Sequence, residues 1–314
     1  MPSVDILAVI SLPPFLRERL DRDYLLHELT KAKDRAALLA ELAPRVRAVV
    51  PGGSAGVVDA ALMDALPKLE IVSVFGVGYD GVDIEGARKR GITVTNTPDV
   101  LTEDVADVAL GLMLNVARRF VHAHNFVMAG KWATSAFPLA SKLGGRQAGI
   151  LGLGRIGKAI AKRAEAFGMQ ISYHGRRRQD GVPYRFYDSL AEMAAAVDYL
   201  IVACQGGAET RNLVDARVLA ALGKKGVLIN IARGSIVDEP ALADALAKGT
   251  IKAAGLDVFV DEPHVPEAFL KLDNVVLLPH TGSATVETRT AMANLCCDNL
   301  DAHFAGKPVL TRVV

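Results

Sequence analysis

Short apolar runs alternate with amphipathic stretches along most of this chain. Residues 4–10, Val-Asp-Ile-Leu-Ala-Val-Ile, form the first run and predict a strand, which Pro13 and Pro14 end. Residues 16–29 place apolar side chains at helical intervals with charges between them, and predict a helix. Apolar runs at 46–50, 70–75 and 92–95 predict three further strands. Helices are expected between them at 57–66, closed by Pro67, and at 83–90, closed by Gly91. Strand–helix alternation of this kind predicts a small parallel α/β domain.

The pattern then changes. Thr102-Glu103-Asp104 resembles a helix cap with acidic residues in the first turn, and the nearly continuous apolar run 105–116 follows, ending at Arg118-Arg119. A helix apolar on most sides is buried on most sides, so helix 102–118 is expected to lie between domains or subunits. Residues 120–145, with the only tryptophan, Trp132, carry no strong pattern. From Gln147 the alternation resumes, with strands at 148–151, 170–174, 198–203, 226–231, 253–257 and 274–278. Helices are expected at 155–166, 189–196, 215–221 and 239–247. This predicts a doubly wound domain of six or seven strands. A last helix, 285–304, has an Ala/Leu/Cys face that could return to the first domain. The expected fold class is therefore α/β, with two Rossmann-like parallel-sheet domains and a cleft between them. The first would be discontinuous, 1–99 plus 285–314, and flavodoxin-like; the second would be 100–284.

Composition narrows the class. Of 314 residues, 51% are hydrophobic and 23% charged, enough for a large core. A formal net charge of +1 gives no reason to expect nucleic acid or an anionic membrane as partner. There is no run of 18 apolar residues, and Asp5, Arg17 and Arg19 interrupt the N-terminal apolar stretches. The three cysteines, Cys204, Cys296 and Cys297, suit neither a disulfide framework nor a zinc site, which predicts reduced thiols in a cytoplasmic protein. No His/Cys/carboxylate cluster calls for a metal; His122 and His124 are two apart and cannot share a helix face.

The chemistry is organised around Gly152, Gly154 and Gly157, which spell G-x-G-x-x-G between a predicted strand and a predicted helix. In that context the first glycine allows a tight turn, the second lets a pyrophosphate approach, and the third packs helix on strand. The helix N-terminus then offers N–H groups to the phosphates. Later strand ends carry Arg233, Glu262 and His280. Strand carboxyl ends line the ligand crevice of open α/β sheets. A guanidinium there can hold a carboxylate bidentately, and an imidazole beside a carboxylate can pass a proton near neutral pH.

With these motifs the chain resembles the D-isomer-specific 2-hydroxyacid dehydrogenases, close to the glyoxylate/hydroxypyruvate reductase branch. The motifs are Phe75-Gly76-Val77-Gly78-Tyr79-Asp80, the 149–157 glycine segment, Asn230-Ile231-Ala232-Arg233-Gly234, Asp257-Val258-Phe259 with Asp261-Glu262-Pro263, and Pro279-His280-Thr281-Gly282-Ser283. The resemblance implies Arg233, Glu262 and His280 as the catalytic set, with His280 as general acid/base. It implies that substrate is held by Val77, Gly78, Arg233 and Trp132, and that pocket residues come from 50–54 and 74–79. It implies a cofactor on Thr102, Gly152, Gly154, Arg155, Ile156, Gly157, Gly175, Arg176, Arg177, Cys204, Thr210, Ile231, Ala232, Asp257 and Gly282. It further implies a homodimer, joined through helix 102–118 and the 120–145 segment. The expected activity is reduction of small 2-keto acids such as glyoxylate and hydroxypyruvate.

Cofactor choice can be read as well. NAD enzymes of this family place an acidic residue seven after the glycine that ends the first dinucleotide helix. Seven after Gly168 stands Gly175, and Arg176-Arg177-Arg178 follow. Repulsion of a 2′-phosphate is absent and cations are supplied, so NADPH is expected over NADH. Two rivals remain: a dinucleotide-sensing regulator of the same fold, and a dehydrogenase for a bulkier 2-hydroxy acid. Formate dehydrogenases have Gln where Glu262 stands, and phosphoglycerate dehydrogenases carry a C-terminal regulatory extension, so neither is expected.

Overall fold

The computed structural model describes residues 4–53 and 55–314. The chain divides into two compact units, one running up to Leu101 and taken up again by Thr285–Val314, the other spanning Thr102–Ala284.

The first unit holds strands β1 (Asp5–Ala8), β2 (Leu25–Glu28), β3 (Val46–Val50), β4 (Ile71–Ser73) and β5 (Thr93–Thr95). All pair in parallel, in the order β2-β1-β3-β4-β5. That order reverses between β1 and β3, as in flavodoxin-like sheets. Leu7, Val49, Val72 and Val94 are fully buried and make the middle of its core. Asp34, Asp59 and Asp83 each accept from a backbone N–H of the helix they precede, fixing the starts of Arg35–Leu42, Ala60–Ala65 and Ile84–Lys89. Such caps contribute about 1 kcal/mol each. The last helix, Val286–Phe304, packs here: the Ser73 hydroxyl donates to Cys296 O at 2.9 Å, and Arg19 reaches Asn294 Oδ1 at 2.9 Å.

Two stretches of this unit differ from the pattern of apolar positions. The helix expected over 16–29 is Pro14–Asp23, and the rest is strand β2. Tyr24 turns extended, and Leu25–Glu28 then pairs with β1 at the sheet edge, where its side chains stay exposed or half-buried. An edge strand with no buried face carries no alternation to read. The helix Arg35–Leu42, capped by Asp34, is absent from the expected elements; only Leu42 of it is buried, so it shows little apolar periodicity.

The second unit holds β6 (Gln147–Leu151), β7 (Gln170–His174), β8 (Arg185–Phe186), β9 (Tyr199–Val202), β10 (Val227–Asn230), β11 (Ala253–Leu256) and β12 (Val275–Leu277). The sheet is parallel throughout, ordered β12-β11-β10-β9-β6-β7-β8. The chain order therefore reverses between β6 and β9, and the crevice outside their carboxyl ends is the place for a ligand. Strand β8, only two residues long, escaped the sequence pattern. Helix Thr102–Arg118 packs against β10, β11, β12 and helix Arg155–Ala166 of the same unit. On its outer side Glu103 and Asp107 both pair with Arg163, at 2.8 and 2.6 Å. Its apolar run is thus largely explained within its own unit. The patternless 120–145 segment contains a helix, Phe120–Met128, none of whose residues is buried. Among the described residues no helix is long and apolar enough to cross a membrane.

Candidate active site

The glycine turn joins β6 to helix Arg155–Ala166. Gly152 has φ +96°, and a Cβ there would stand 2.5 Å from Cys204 Cα at the end of β9. A Cβ at Gly157 would stand 2.2 Å from Gly152 O. Neither position tolerates a side chain. At Gly154, by contrast, a Cβ would meet nothing within 4 Å, so the backbone faces open space. Gly154 caps a helix of 12 residues without any side-chain bond to its first turn. That leaves helical N–H groups and the positive dipole end for a phosphate, so the residues present fit a dinucleotide. Burial pushes the Cys204 thiol up to about 11, which makes it an apolar wall of this turn rather than a nucleophile. Beside the turn, β7 runs into Gly175 and the exposed Arg176, Arg177 and Arg178.

Arg233, Glu262 and His280 follow β10, β11 and β12, at the same end of the sheet. His280 Nδ1 lies 2.7 Å from Glu262 Oε2. Glu262 Oε1 accepts the Phe259 N–H at 3.0 Å, so both carboxylate oxygens are engaged. Burial alone would raise the Glu262 carboxyl. The His280 hydrogen bond and charge, the Phe259 N–H and the Arg233 guanidinium outweigh it and hold the group below the usual carboxylate range. Arg233 donates from Nη1 to Ala232 O at 2.7 Å.

Three supports of this set have no role in the sequence reading, although Asn230 and Gly234 stand in the Arg233 motif. Asn230 is 1% exposed; it donates to Arg233 O at 2.9 Å and accepts the Ala232 N–H at 3.1 Å, which shapes the Arg233 turn. A Cβ at Gly234 would stand 2.0 Å from the carbonyl carbon of Phe259, so only glycine lets the Arg233 turn touch the loop that leads to Glu262. Glu239 accepts the Val260 N–H at 2.8 Å and holds that loop from the other side. His280 itself sits at φ +53°, a left-handed conformation costing about 1–3 kcal/mol for a residue with a Cβ. The grip of Asp257 supports it. The Asp257 carbonyl accepts the His280 N–H at 2.9 Å, and its carboxylate accepts the N–H groups of Thr281 and Gly282 at 2.7 and 2.8 Å.

In the first unit, the loop after β4 carries Val77 and Gly78, both half-buried. Asn96 donates to Val77 O at 2.8 Å and the Thr97 N–H to Gly76 O at 2.9 Å, so the loop's carbonyls are tied down. Asn96 had no signal in the sequence apart from its place after β5. Of the pocket stretch 50–54, Ser54 lies outside the described residues.

The family model described as "D-isomer specific 2-hydroxyacid dehydrogenase, NAD binding domain" matches residues 110–282. A glyoxylate/hydroxypyruvate reductase of Arabidopsis thaliana is 49% identical over 314 residues, covering all of both chains. A hydroxyphenylpyruvate reductase of Plectranthus scutellarioides is also 49% identical over the whole of both chains. The chain belongs to the D-isomer-specific 2-hydroxyacid dehydrogenases. The crystal structure of an NADPH-dependent glyoxylate/hydroxypyruvate reductase from Sinorhizobium meliloti, in complex with NADP and malonate, superposes with a TM-score of 0.93. The identity is 50%, over 99% of this chain and 97% of that one.

The remaining residues to which the family resemblance pointed are spread over the second unit. Thr102 opens its first helix, Arg155 and Ile156 the helix after the glycine turn, and Gly282 follows His280 with its N–H on Asp257. Ile231 and Ala232 are buried between β10 and Arg233. Thr210 spends its hydroxyl on Gln205 O, at 2.9 Å, within its own short turn. Asp257 is 1% exposed, with its carboxylate turned to the 281–282 backbone. Trp132 stands in the turn Lys131–Ala133, 69% exposed.

Proposed function

We propose that this protein reduces small 2-keto acids, glyoxylate and hydroxypyruvate among them, to D-2-hydroxy acids, with NADPH preferred over NADH. The observation that carries this reading is the His280–Glu262 pair at 2.7 Å, set with Arg233 at the carboxyl end of a sheet whose glycine turn fits a dinucleotide. When bound, the nicotinamide supplies the reducing hydride. His280 holds a proton on Nε2 for the carbonyl oxygen while Nδ1 donates to Glu262. The Glu262 carboxylate orients the ring and stabilises its protonated form. Arg233 anchors the substrate carboxylate and polarises the carbonyl. In the first unit, Val77 and Gly78 offer backbone N–H groups to an anion. Arg176 and Arg177, exposed behind Gly175, supply charge for a 2′-phosphate.

The same reading takes the protein as a homodimer. Met128, Trp132 and Leu139 are 73%, 69% and 100% exposed around a helix with no buried residue, an apolar surface of the kind that a second subunit covers. The free thiols and near-neutral charge support a cytoplasmic setting. A second reading, reduction of a bulkier keto acid, draws on the equal identity to the Plectranthus hydroxyphenylpyruvate reductase.

The test is a steady-state panel of glyoxylate, hydroxypyruvate and 4-hydroxyphenylpyruvate with each cofactor. The expected result is the highest kcat/KM for the two small acids with NADPH. A maximum at 4-hydroxyphenylpyruvate would favour the second reading. Tight NADPH binding without turnover of any keto acid would mark a dinucleotide sensor.

A further inference from the structure

The loop that carries Arg176, Arg177 and Arg178 is fastened to the glycine turn at both ends. On its entry side, Gly152 N–H donates to His174 O at 2.9 Å. On its exit side, the Gln179 side-chain amide donates to Leu153 O at 2.8 Å. Two successive residues of the phosphate turn therefore hold the two ends of one short basic loop. A third bond fixes the exit residue itself: Gln179 N–H donates to the Tyr173 hydroxyl at 2.7 Å. Tyr173 is 1% exposed in β7 and packs on Phe186, so its hydroxyl is a rigid anchor. The three arginines are exposed, and three neighbouring cations repel one another. Left to itself such a loop would spread into solvent and present its charges in many arrangements. Ordering them before a ligand arrives removes that entropic cost from binding.

We infer that Gln179 is a positioning residue for cofactor selectivity. Its amide clamps the basic loop to the dinucleotide turn, so that the arginine charges stand ready for the 2′-phosphate of NADP. The inference rests on the NADPH preference proposed above. The chemistry is directional: the clamp acts on the part of the ligand that NADP has and NAD lacks. Losing it therefore costs NADP alone. A clamp that merely stabilised the turn would serve both dinucleotides equally.

The experiment measures Kd for NADP⁺ and NAD⁺ by titration calorimetry on the intact protein, in the absence of substrate. Gln179→Met keeps the length of the side chain and removes the donor. The expected result is a rise in the NADP⁺ Kd of about 3- to 10-fold, the scale of one hydrogen bond. The NAD⁺ Kd should change by less than about 2-fold, within the uncertainty of such an increment. Tyr173→Phe removes only the hydroxyl that receives the Gln179 N–H, and should move the NADP⁺ Kd in the same direction. It keeps the inference testable if Gln179→Met folds poorly. Arg176→Ala with Arg177→Ala serves as reference for loss of the charges themselves. Wild type that discriminates, together with Gln179→Met and Tyr173→Phe that discriminate equally well, overturns the inference and leaves the cofactor reading intact. Equal losses for both dinucleotides overturn it too. Equal Kd values in wild type would remove the NADPH preference and the inference with it.

Discussion

At the scale of single residues, the site depends on one short contact, between His280 Nδ1 and Glu262 Oε2 at 2.7 Å. His280→Ala should lower kcat by roughly 10²–10⁴, the scale of a lost general acid, while NADP⁺ still binds. Near-normal turnover would show that the proton comes from elsewhere. Glu262→Gln acts differently. Its carboxyl is held below the usual range, so it is anionic at neutral pH and faces the ring as a full charge. Without that charge the protonated imidazole is less favoured, and the pH–rate profile for reduction should shift to lower pH. An unshifted profile would make Glu262 a structural residue only. Linkage has the sign usual for a depressed carboxylate. The interactions of Glu262 stabilise the fold at pH above its unfolded value and are lost as pH falls through the lower folded one. All three catalytic candidates were legible because each stands at a strand end in a motif. Their supports were not. The positive φ of His280 and the inward turn of the Asp257 carboxylate depend on contacts between Asp257 and residues 280–282, far apart in sequence, which no local pattern records.

At the scale of elements, the glycines do most of the positioning. The Gly152 and Gly157 roles could be read from their spacing, because the turn between strand and helix is local. Gly234 could not: its requirement comes from backbone of the Phe259–Val260 loop, brought to it across the ends of β10 and β11. Gly234→Ala would push a methyl to 2.0 Å from a backbone carbon, and neither partner is a flexible side-chain end. The expected cost is about 1–3 kcal/mol of stability, with a lower melting temperature and a reduced kcat as Arg233 and Glu262 shift. An unchanged melting temperature would mean that the two loops yield freely. Periodicity located most helices and strands, since their buried faces repeat. It failed where burial is weak: at edge strand β2, at two-residue β8, at helix Arg35–Leu42, where only Leu42 is buried, and at helix Phe120–Met128, which buries none of its residues.

At the scale of the whole molecule, that last failure is informative. A helix with Phe120, Val121, Val127 and Met128 all about half or more exposed is costly to leave in water. The proposed dimer would cover it. Met128→Glu places a charge on this surface without touching either sheet. Sedimentation equilibrium should then show the mass falling from two chains to one. A wild-type protein that is already monomeric would contradict the proposal. Both parallel sheets were legible as classes from the strand–helix alternation. The strand orders that create the two reversals, between β1 and β3 and between β6 and β9, follow from crossovers that the sequence leaves implicit.

The most direct measurement of the reduction chemistry follows one label. The protein is given hydroxypyruvate and NADPH deuterated at the transferring position of nicotinamide C4, and the product is analysed for isotope and configuration. The expected product is D-glycerate with deuterium bonded to C2 and an oxygen-bound proton that exchanges with water. Product without deuterium at C2, or of the L configuration, would contradict the account.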